Sequence, residues 1–381
     1  MEQIYFDNAA TTQLREEVID AMMHVVKNNY GNASSSHSFG RSSKALIEKS
    51  RKHIAKHLNV SASEIVFTSG GTEADNLVLR SAVRDLKVQR VITSKIEHHA
   101  VLHTIEQLKL EHDIEVDFVC LDANGNVDYD HLETLLNKEK KSLVTLMHVN
   151  NEIGNILNIK RVADLCKEKG ALFHSDAVQS VGHYALDLNE IQVDFLAASA
   201  HKFHGPKGVG FAFIRKNSGL KPLIIGGEQE RGLRAGTESI HNIVALEQAF
   251  HFSNLNIETE TAYIKELKTY FINEVTKHIA GIKFNGNSAD LEKSTYTLVN
   301  VCIPVEANKS AMLLFQLDLK GIACSKGSAC QSGSNAGSHV LAEILNEDDL
   351  EKPSIRFSFS IYNTKEEVDY VVDVLKELVG A

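Results

Sequence analysis

Short apolar runs alternate with longer helical patterns from about residue 64 to residue 215. Residues 64–68 (EIVFT) read as a strand, the turn 69–72 (SGGT) follows, and a helix begins near Glu73. Residues 90–93 (RVIT), 116–120 (VDFVC), 143–149 (LVTLMHV) and 171–175 (ALFHS) read as further strands, and 193–198 (VDFLAA) as an interior one. Between them Ile159, Val162, Ala163, Leu165 and Cys166 recur at helical spacing, with Gly170 placed to end that helix. Such alternation predicts a mainly parallel sheet covered by helices, with ligands at the carboxyl ends of its strands. The tail differs. Residues 297–303 (TLVNVCI) and 354–360 (SIRFSFS) are strands with interleaved polar positions, and Thr364 with Glu367 forms a capping-box pattern for the last helix. A helical stretch near 250–275 connects the two parts. The expected architecture is α/β, with a large domain over residues 15–255 and a smaller α+β domain built from 1–14 plus 256–381.

Composition narrows the partners. The chain has 381 residues and a formal charge of -10. That balance disfavours nucleic acid, whose phosphates need a basic surface. No apolar run approaches the roughly 20 residues of a membrane span. The start of the chain lacks a signal-peptide pattern, and the five cysteines are too scattered for a disulfide framework. The expected setting is cytoplasmic, without a membrane partner.

The predicted strand ends carry the chemistry. Gly70 and Gly71 in SGGT let the backbone approach a ligand, and a helix start with Thr72 could cradle a phosphate; an ordinary tight turn is the alternative. Asp176 ends a strand, either facing the cleft or capping a helix. Lys202 lies between two histidines in "ASAHKFHGPKG" just after a strand, either a surface lysine or one held for covalent chemistry. A phosphate cradle, a carboxylate and a lysine at one sheet edge together suit pyridoxal phosphate. His98 could lie on the cofactor ring and relay protons, while His99 and His103, four apart, could instead ligate a metal; no third ligand is evident, and no metal is expected. Cys120, Cys166 and Cys302 read as core packing. Cys330 falls among small and polar residues that predict an exposed loop, where a thiol is either used or incidental; Cys324, at its edge, fits either description. Arg356, amid apolar residues, wants a carboxylate, internal or from an amino-acid substrate.

Taken in order, "YFDNAATT", "GNASSSHSFGR", "EIVFTSGGTEADN", "SKIEHHAVL", "MHVNNEIG", "HSDAVQS", "SAHKFHGPKGVG", "ERGLRAGTE", "GSACQSG" and "SIRFSFS" resemble the group I cysteine desulfurases, fold-type I pyridoxal-phosphate enzymes of the class V aminotransferase family. The resemblance implies a two-domain homodimer that converts L-cysteine to L-alanine, holds the sulfur as an enzyme persulfide, and passes it to an acceptor such as an iron–sulfur scaffold protein. By the same resemblance Lys202 matches the cofactor lysine, Asp176 the partner of the pyridine nitrogen, Gln179 a neighbour of the ring oxygen and His98 the stacking histidine. Thr72, Ser199 and His201 match phosphate ligands, and Thr237 a phosphate contact supplied by the partner subunit. Asn151 and Arg356 match the groups that hold the substrate carboxylate, and Cys330 the sulfur-accepting nucleophile. Two positions depart from the pattern: Ala33 replaces a common proline, and "SGSNAGSHVL" after Cys330 lacks the usual Leu-Glu-Pro. A selenocysteine lyase or aminotransferase with the same cofactor, or a non-catalytic scaffold subunit, are the competing expectations.

Overall fold

The computed structural model describes residues 3–305, 307–326 and 337–380. A short strand β1 (Ile4–Tyr5) and helices α1 (Glu16–Asn28) and α2 (Ser38–His57) come first. The expected alternation follows as β2 (Ile65–Thr68), α3 (Gly71–Leu86), β3 (Arg90–Thr93), α4 (His99–Glu111), β4 (Glu115–Phe118), α5 (Tyr129–Leu136), β5 (Ser142–Thr145), α6 (Ile159–Lys169), β6 (Leu172–Asp176), β7 (Phe195–Ser199) and β8 (Gly210–Ile214). Gly170 ends α6 in the left-handed conformation, as its place in the pattern predicts. At the loop of the Ala33 departure, Asn32 receives the Ser34 N–H on its side chain (2.8 Å) and the Ser35 N–H on its carbonyl, so the turn is held without a proline.

Seven strands form one sheet in the order β2-β8-β7-β6-β5-β3-β4. The run β4-β3-β5-β6-β7 is parallel throughout. The exception is β8, antiparallel to both β7 and β2; the short 200–209 connection carries no crossover helix, and a parallel return would need one. β2, β3, β5, β7 and β8 are buried along their whole length, which is why they read as continuous apolar runs. β4 is an edge strand, half exposed. Cys120, expected in the core, follows it and is exposed; a sheet edge leaves one flank of a strand uncovered.

From β4 at the edge the chain crosses to β5 on the other side of β3. That reversal opens a crevice at the carboxyl ends of β3 and β5, where open parallel sheets bind ligands. The connecting helix is in fact two helices, α7 (Ile240–Leu255) and α8 (Ile257–His278), broken at Asn256. The tail then forms β9 (Lys283–Phe284), β10 (Leu298–Cys302), α9 (Ala307–Leu319), β11 (Ile322–Ala323), α10 (His339–Ile344), α11 (Glu347–Leu350), β12 (Ser354–Ser358) and α12 (Lys365–Val379). β10 lies between β12 and β9 in a small antiparallel sheet, and β1 pairs with β11. The Thr364–Glu367 capping box is present at the start of α12.

Apolar residues cluster accordingly. Two large groups on either face of the seven-stranded sheet draw on residues between Val18 and Phe250. Another joins Ile4 and Phe6 to residues between Ile264 and Leu375. Among the described residues no helix is long and apolar enough to cross a membrane.

Candidate active site

The carboxyl ends of the parallel strands open on a cavity of ≈ 210 Å³. Gly71, Thr72, His98, Asn151, Asp176, Gln179, Ser199, His201, Lys202 and Arg356 all line it. Residues more than 280 positions apart therefore meet at one place: most lie at or just after the end of a strand of the large sheet, whereas Arg356 comes from the middle of β12 in the small one.

The turn after β2 is built for close approach. Gly70, the N-cap of α3, has φ of 152°, where a side chain would be strained. A Cβ on Gly71 would come within 2.4 Å of the Val178 side chain. The first turn of α3 presents backbone N–H groups and the positive end of the helix dipole, a setting that suits a phosphate. Thr72 is exposed beside it, and Ser199 at the end of β7 faces the same turn.

Asp176 ends β6, and its Oδ1 accepts the Val178 N–H at 2.9 Å. The capping alternative is thus half right: the side chain does hold a backbone N–H, but in a turn rather than at a helix start. His98 is the N-cap of α4, its Nδ1 accepting the Ala100 N–H at 3.1 Å. That bond places the ring proton on Nε2. Burial holds His98 below its usual titration range, with the Asp176 charge pulling the other way. Lys202 closes a 3₁₀ turn after β7 and is not a surface lysine. Its Nζ donates to the carbonyls of Ala9 (2.6 Å) and Ala10 (2.8 Å). Gln179 donates to the same Ala9 carbonyl at 3.0 Å, so the N-terminal segment forms one wall. His201 lies 3.2 Å from the Thr11 hydroxyl and is pushed down to about 3 by burial. Arg356, on β12, has the internal partner expected: it bonds Asp7 at 2.8 Å and the Asn151 carbonyl at 2.6 Å, and it also lines the cavity.

Thr237 does not line this cavity. It is exposed on the 229–239 loop, which is anchored by a buried Glu230–Arg51 pair (2.6 Å) and by Arg234 on Glu73 (2.8 Å). Cys330 lies outside the described residues. Sequence reasoning missed Asp75, Glu152 and His339, which also line the cavity. Only Asp75 had a signal: it is one helical turn beyond Thr72, on the same side of α3. His99 stacks on His103 with ring centres 4.7 Å apart and meets His339 at 4.4 Å. Among the described residues no group of three or more His, Cys, Asp or Glu is arranged to hold a metal ion.

Burial makes this region acid-sensitive. His148 is lowered to about 4, His174, His201 and His204 to about 3, and His98 and His183 are lowered as well, all chiefly by desolvation. Each lets the unfolded chain bind a proton below about pH 6.5 that the folded chain refuses. Buried Glu97 (raised to about 8), Asp75, Asp176 and Glu152 act in the opposite sense. With His99, also lowered by burial to about 4, these histidines outnumber the raised carboxyls, and the balance tips toward lost stability between roughly pH 4.5 and 6.5. The melting temperature of the protein is therefore expected to fall by about 5 °C from pH 7 to pH 5. A thermal melt that stays level or rises toward pH 5 would contradict this balance.

The comparisons with known proteins agree with this geometry. Residues 4–371 match the family model described as Aminotransferase class-V. Cysteine desulfurase IscS from Dictyoglomus turgidum is 42% identical over 382 residues, covering 99% of this chain and 94% of that protein. Among solved structures, a NifS-like protein superposes with a TM-score of 0.91 at 34% identity, covering 99% of both chains. A structure described as SspA in complex with cysteine gives 0.81 at 31% identity, covering 95% of this chain and all of the other. The chain belongs to the class V aminotransferase family, in its cysteine desulfurase branch.

Proposed function

We propose that this chain is a pyridoxal-phosphate-dependent cysteine desulfurase. It works as a cytoplasmic homodimer, converts L-cysteine to L-alanine, and delivers the sulfur from a persulfide on Cys330 to an acceptor protein such as an iron–sulfur scaffold. The observation that carries this reading is the convergence of Lys202, Asp176 and the Gly71–Thr72 helix start on one cavity.

The residues fit the cofactor. The α3 N-terminus, Thr72, Ser199 and His201 would hold its phosphate. Asp176 would hold a proton on its pyridine nitrogen, Gln179 would stand near its ring oxygen, and His98 would lie against its ring. When bound, pyridoxal phosphate supplies an electron sink for charge developing on the substrate. Lys202 would hold the cofactor through its aldehyde and would move the proton at the substrate Cα. Arg356 and Asn151 orient the substrate carboxylate; the guanidinium, fixed between Asp7 and the Asn151 carbonyl, is pre-oriented for it. The Cys330 thiolate forms a bond to the substrate sulfur as the substrate's Cβ–S bond breaks, and a proton delivered to Cβ completes alanine. The products are then one alanine and one Cys330 persulfide.

Thr237 supports the dimer reading: an exposed residue on an anchored loop is free to serve a partner's phosphate site. Ile19, Met23 and Val26 on α1, with Tyr30 and Phe39 beyond it, are exposed apolar residues that a second copy would cover. The four described cysteines are free thiols, in keeping with a reducing compartment. The separate apolar clusters support the division into residues 15–255 and 1–14 plus 256–381.

The test is direct. Protein purified with its cofactor is expected to show a visible absorption band that L-cysteine perturbs. Mass analysis should then find one added sulfur atom on the peptide bearing Cys330. Faster turnover of another amino acid, with no added sulfur, would favour a selenocysteine lyase or aminotransferase; a colourless chain that binds no pyridoxal phosphate would favour a scaffold subunit.

A further inference from the structure

The deepest buried polar groups that this chemistry leaves unused lie beneath Asp176. Residues two apart on a strand share a face, so β6 presents His174 and Asp176 to the same side of the sheet. α3 packs over that side and places Asp75 against them. Asp75 Oδ1 is 3.4 Å from His174 Nε2, a contact that a small rotation of the carboxyl closes. The other ring nitrogen, His174 Nδ1, is 2.9 Å from the Thr145 hydroxyl on β5. Asp75 is 1% exposed and His174 0%, yet Asp75 borders the same cavity as Asp176.

The charges around this chain are unevenly shared. Burial raises Asp176 as well, but His98, the Val178 N–H and Lys202 all favour its ionised form. Asp75 is acted on instead by two further carboxyls, Asp176 and Glu97. Glu97 is itself buried and tied to the Ser94 hydroxyl at 2.7 Å. Among the described residues, the group in contact with Asp75 that can carry a positive charge is His174. Two closely placed buried carboxyls do not ionise together when a single set of cations serves them.

We propose that Asp75 is a positioning residue that keeps its proton. Its carboxyl O–H donates to His174 Nε2, His174 Nδ1–H donates to the Thr145 hydroxyl, and this neutral chain leaves Asp176 as the ionised carboxylate for the pyridine nitrogen. Burial and the neighbouring carboxyls raise Asp75 well above the ordinary range, and burial lowers His174 to about 3, in the same sense. The inference rests on the pyridoxal-phosphate reading of the cavity. The opposite arrangement, an Asp75 carboxylate paired with a His174 imidazolium, would set a second negative charge beside Asp176.

The experiment compares holoenzymes of the wild type, Asp75→Asn and Asp75→Ala. It reads the cofactor Kd by equilibrium dialysis and the pH midpoint of the bound cofactor's visible band. Asp75→Asn keeps the shape and the hydrogen-bond donor without a charge at any pH. It is expected to stay within about twofold in Kd and about 0.3 pH unit in midpoint. Asp75→Ala breaks the chain and is expected to weaken binding about tenfold and to move the midpoint by about half a unit or more. This rescue by the neutral isostere is what a merely structural residue or an ionised one would not give. A shift of a full unit in Asp75→Asn, or an Asp75→Ala protein that matches the wild type, overturns the proposal. Should Asp75→Ala fail to fold, Thr145→Val interrupts the same chain at its far end, and an unmoved midpoint there overturns it equally. A wild type that takes up no cofactor overturns the reading of the cavity itself, and the inference with it.

Discussion

Lys202→Ala is expected to lower L-cysteine turnover at least about 10³-fold, because it removes both a covalent anchor and the base at the reacting carbon. Geometry supports the assignment. The 3₁₀ turn after β7 projects Nζ into the cavity, and two carbonyls of the N-terminal segment fix it there. The same ammonium stands close enough to Asp176 and His98 to influence both. Borohydride treatment of cofactor-loaded protein should add the cofactor's mass to the peptide that carries residue 202. The useful control is Lys268. It is fully buried, bonded to the Ser294 hydroxyl and the Thr295 carbonyl, and lowered by burial to about 7. Burial favours the neutral, nucleophilic form of Lys268, but it does not line the cavity. Mass appearing on the Lys268 peptide, or full activity in Lys202→Ala, would remove the central element of the mechanism.

How far the sequence reveals this site depends on how local each constraint is. Strand ends and the helices after them are written in nearby residues, so the SGGT turn, Asp176, His98 and Lys202 were all legible at the carboxyl ends of their strands. Their convergence follows from the parallel order of the sheet. The antiparallel β8 was not singled out, because a buried strand reads the same in either direction. Cys120 was misplaced because an edge strand and a central one share an apolar pattern; only the sheet order tells them apart. What holds Lys202 was not legible at all. Ala9 and Ala10 contribute backbone carbonyls, which no side-chain pattern reports, from a segment some 190 residues away. The partner of Arg356 was foreseen as a class, yet Asp7 lies 349 positions from it in the chain. Asp75 carried a local signal, its spacing from Thr72, but its meaning needs β6 beneath it.

Cys330→Ala is expected to keep the cofactor and its colour while reducing steady-state alanine and sulfide production to about 1% or less of wild type, the loss that follows removal of a covalent nucleophile. Although Cys330 lies outside the described residues, the rest of the molecule narrows the choice to it. Cys166 and Cys302 are buried, and burial raises both thiols. Cys324 is likewise raised by burial, so it holds little of the thiolate that attack requires. Cys120 is exposed, but it follows the edge strand β4 and does not border the cavity. The described flanks of Cys330 both return to the cavity wall. On one side Ser325 pairs with Arg356 through two backbone bonds, Arg356 donating at 2.7 Å and Ser325 at 3.3 Å. On the other, Ser338 bonds Glu152 and His339 donates to the Glu97 carbonyl at 2.9 Å. The two expected results separate cleanly. Lys202→Ala should lose the borohydride adduct, whereas Cys330→Ala should retain it, still respond spectrally to L-cysteine, and gain no sulfur on any peptide. Sulfur recovered on Cys324 or Cys120 in that variant would move the nucleophile and leave the cofactor chemistry intact.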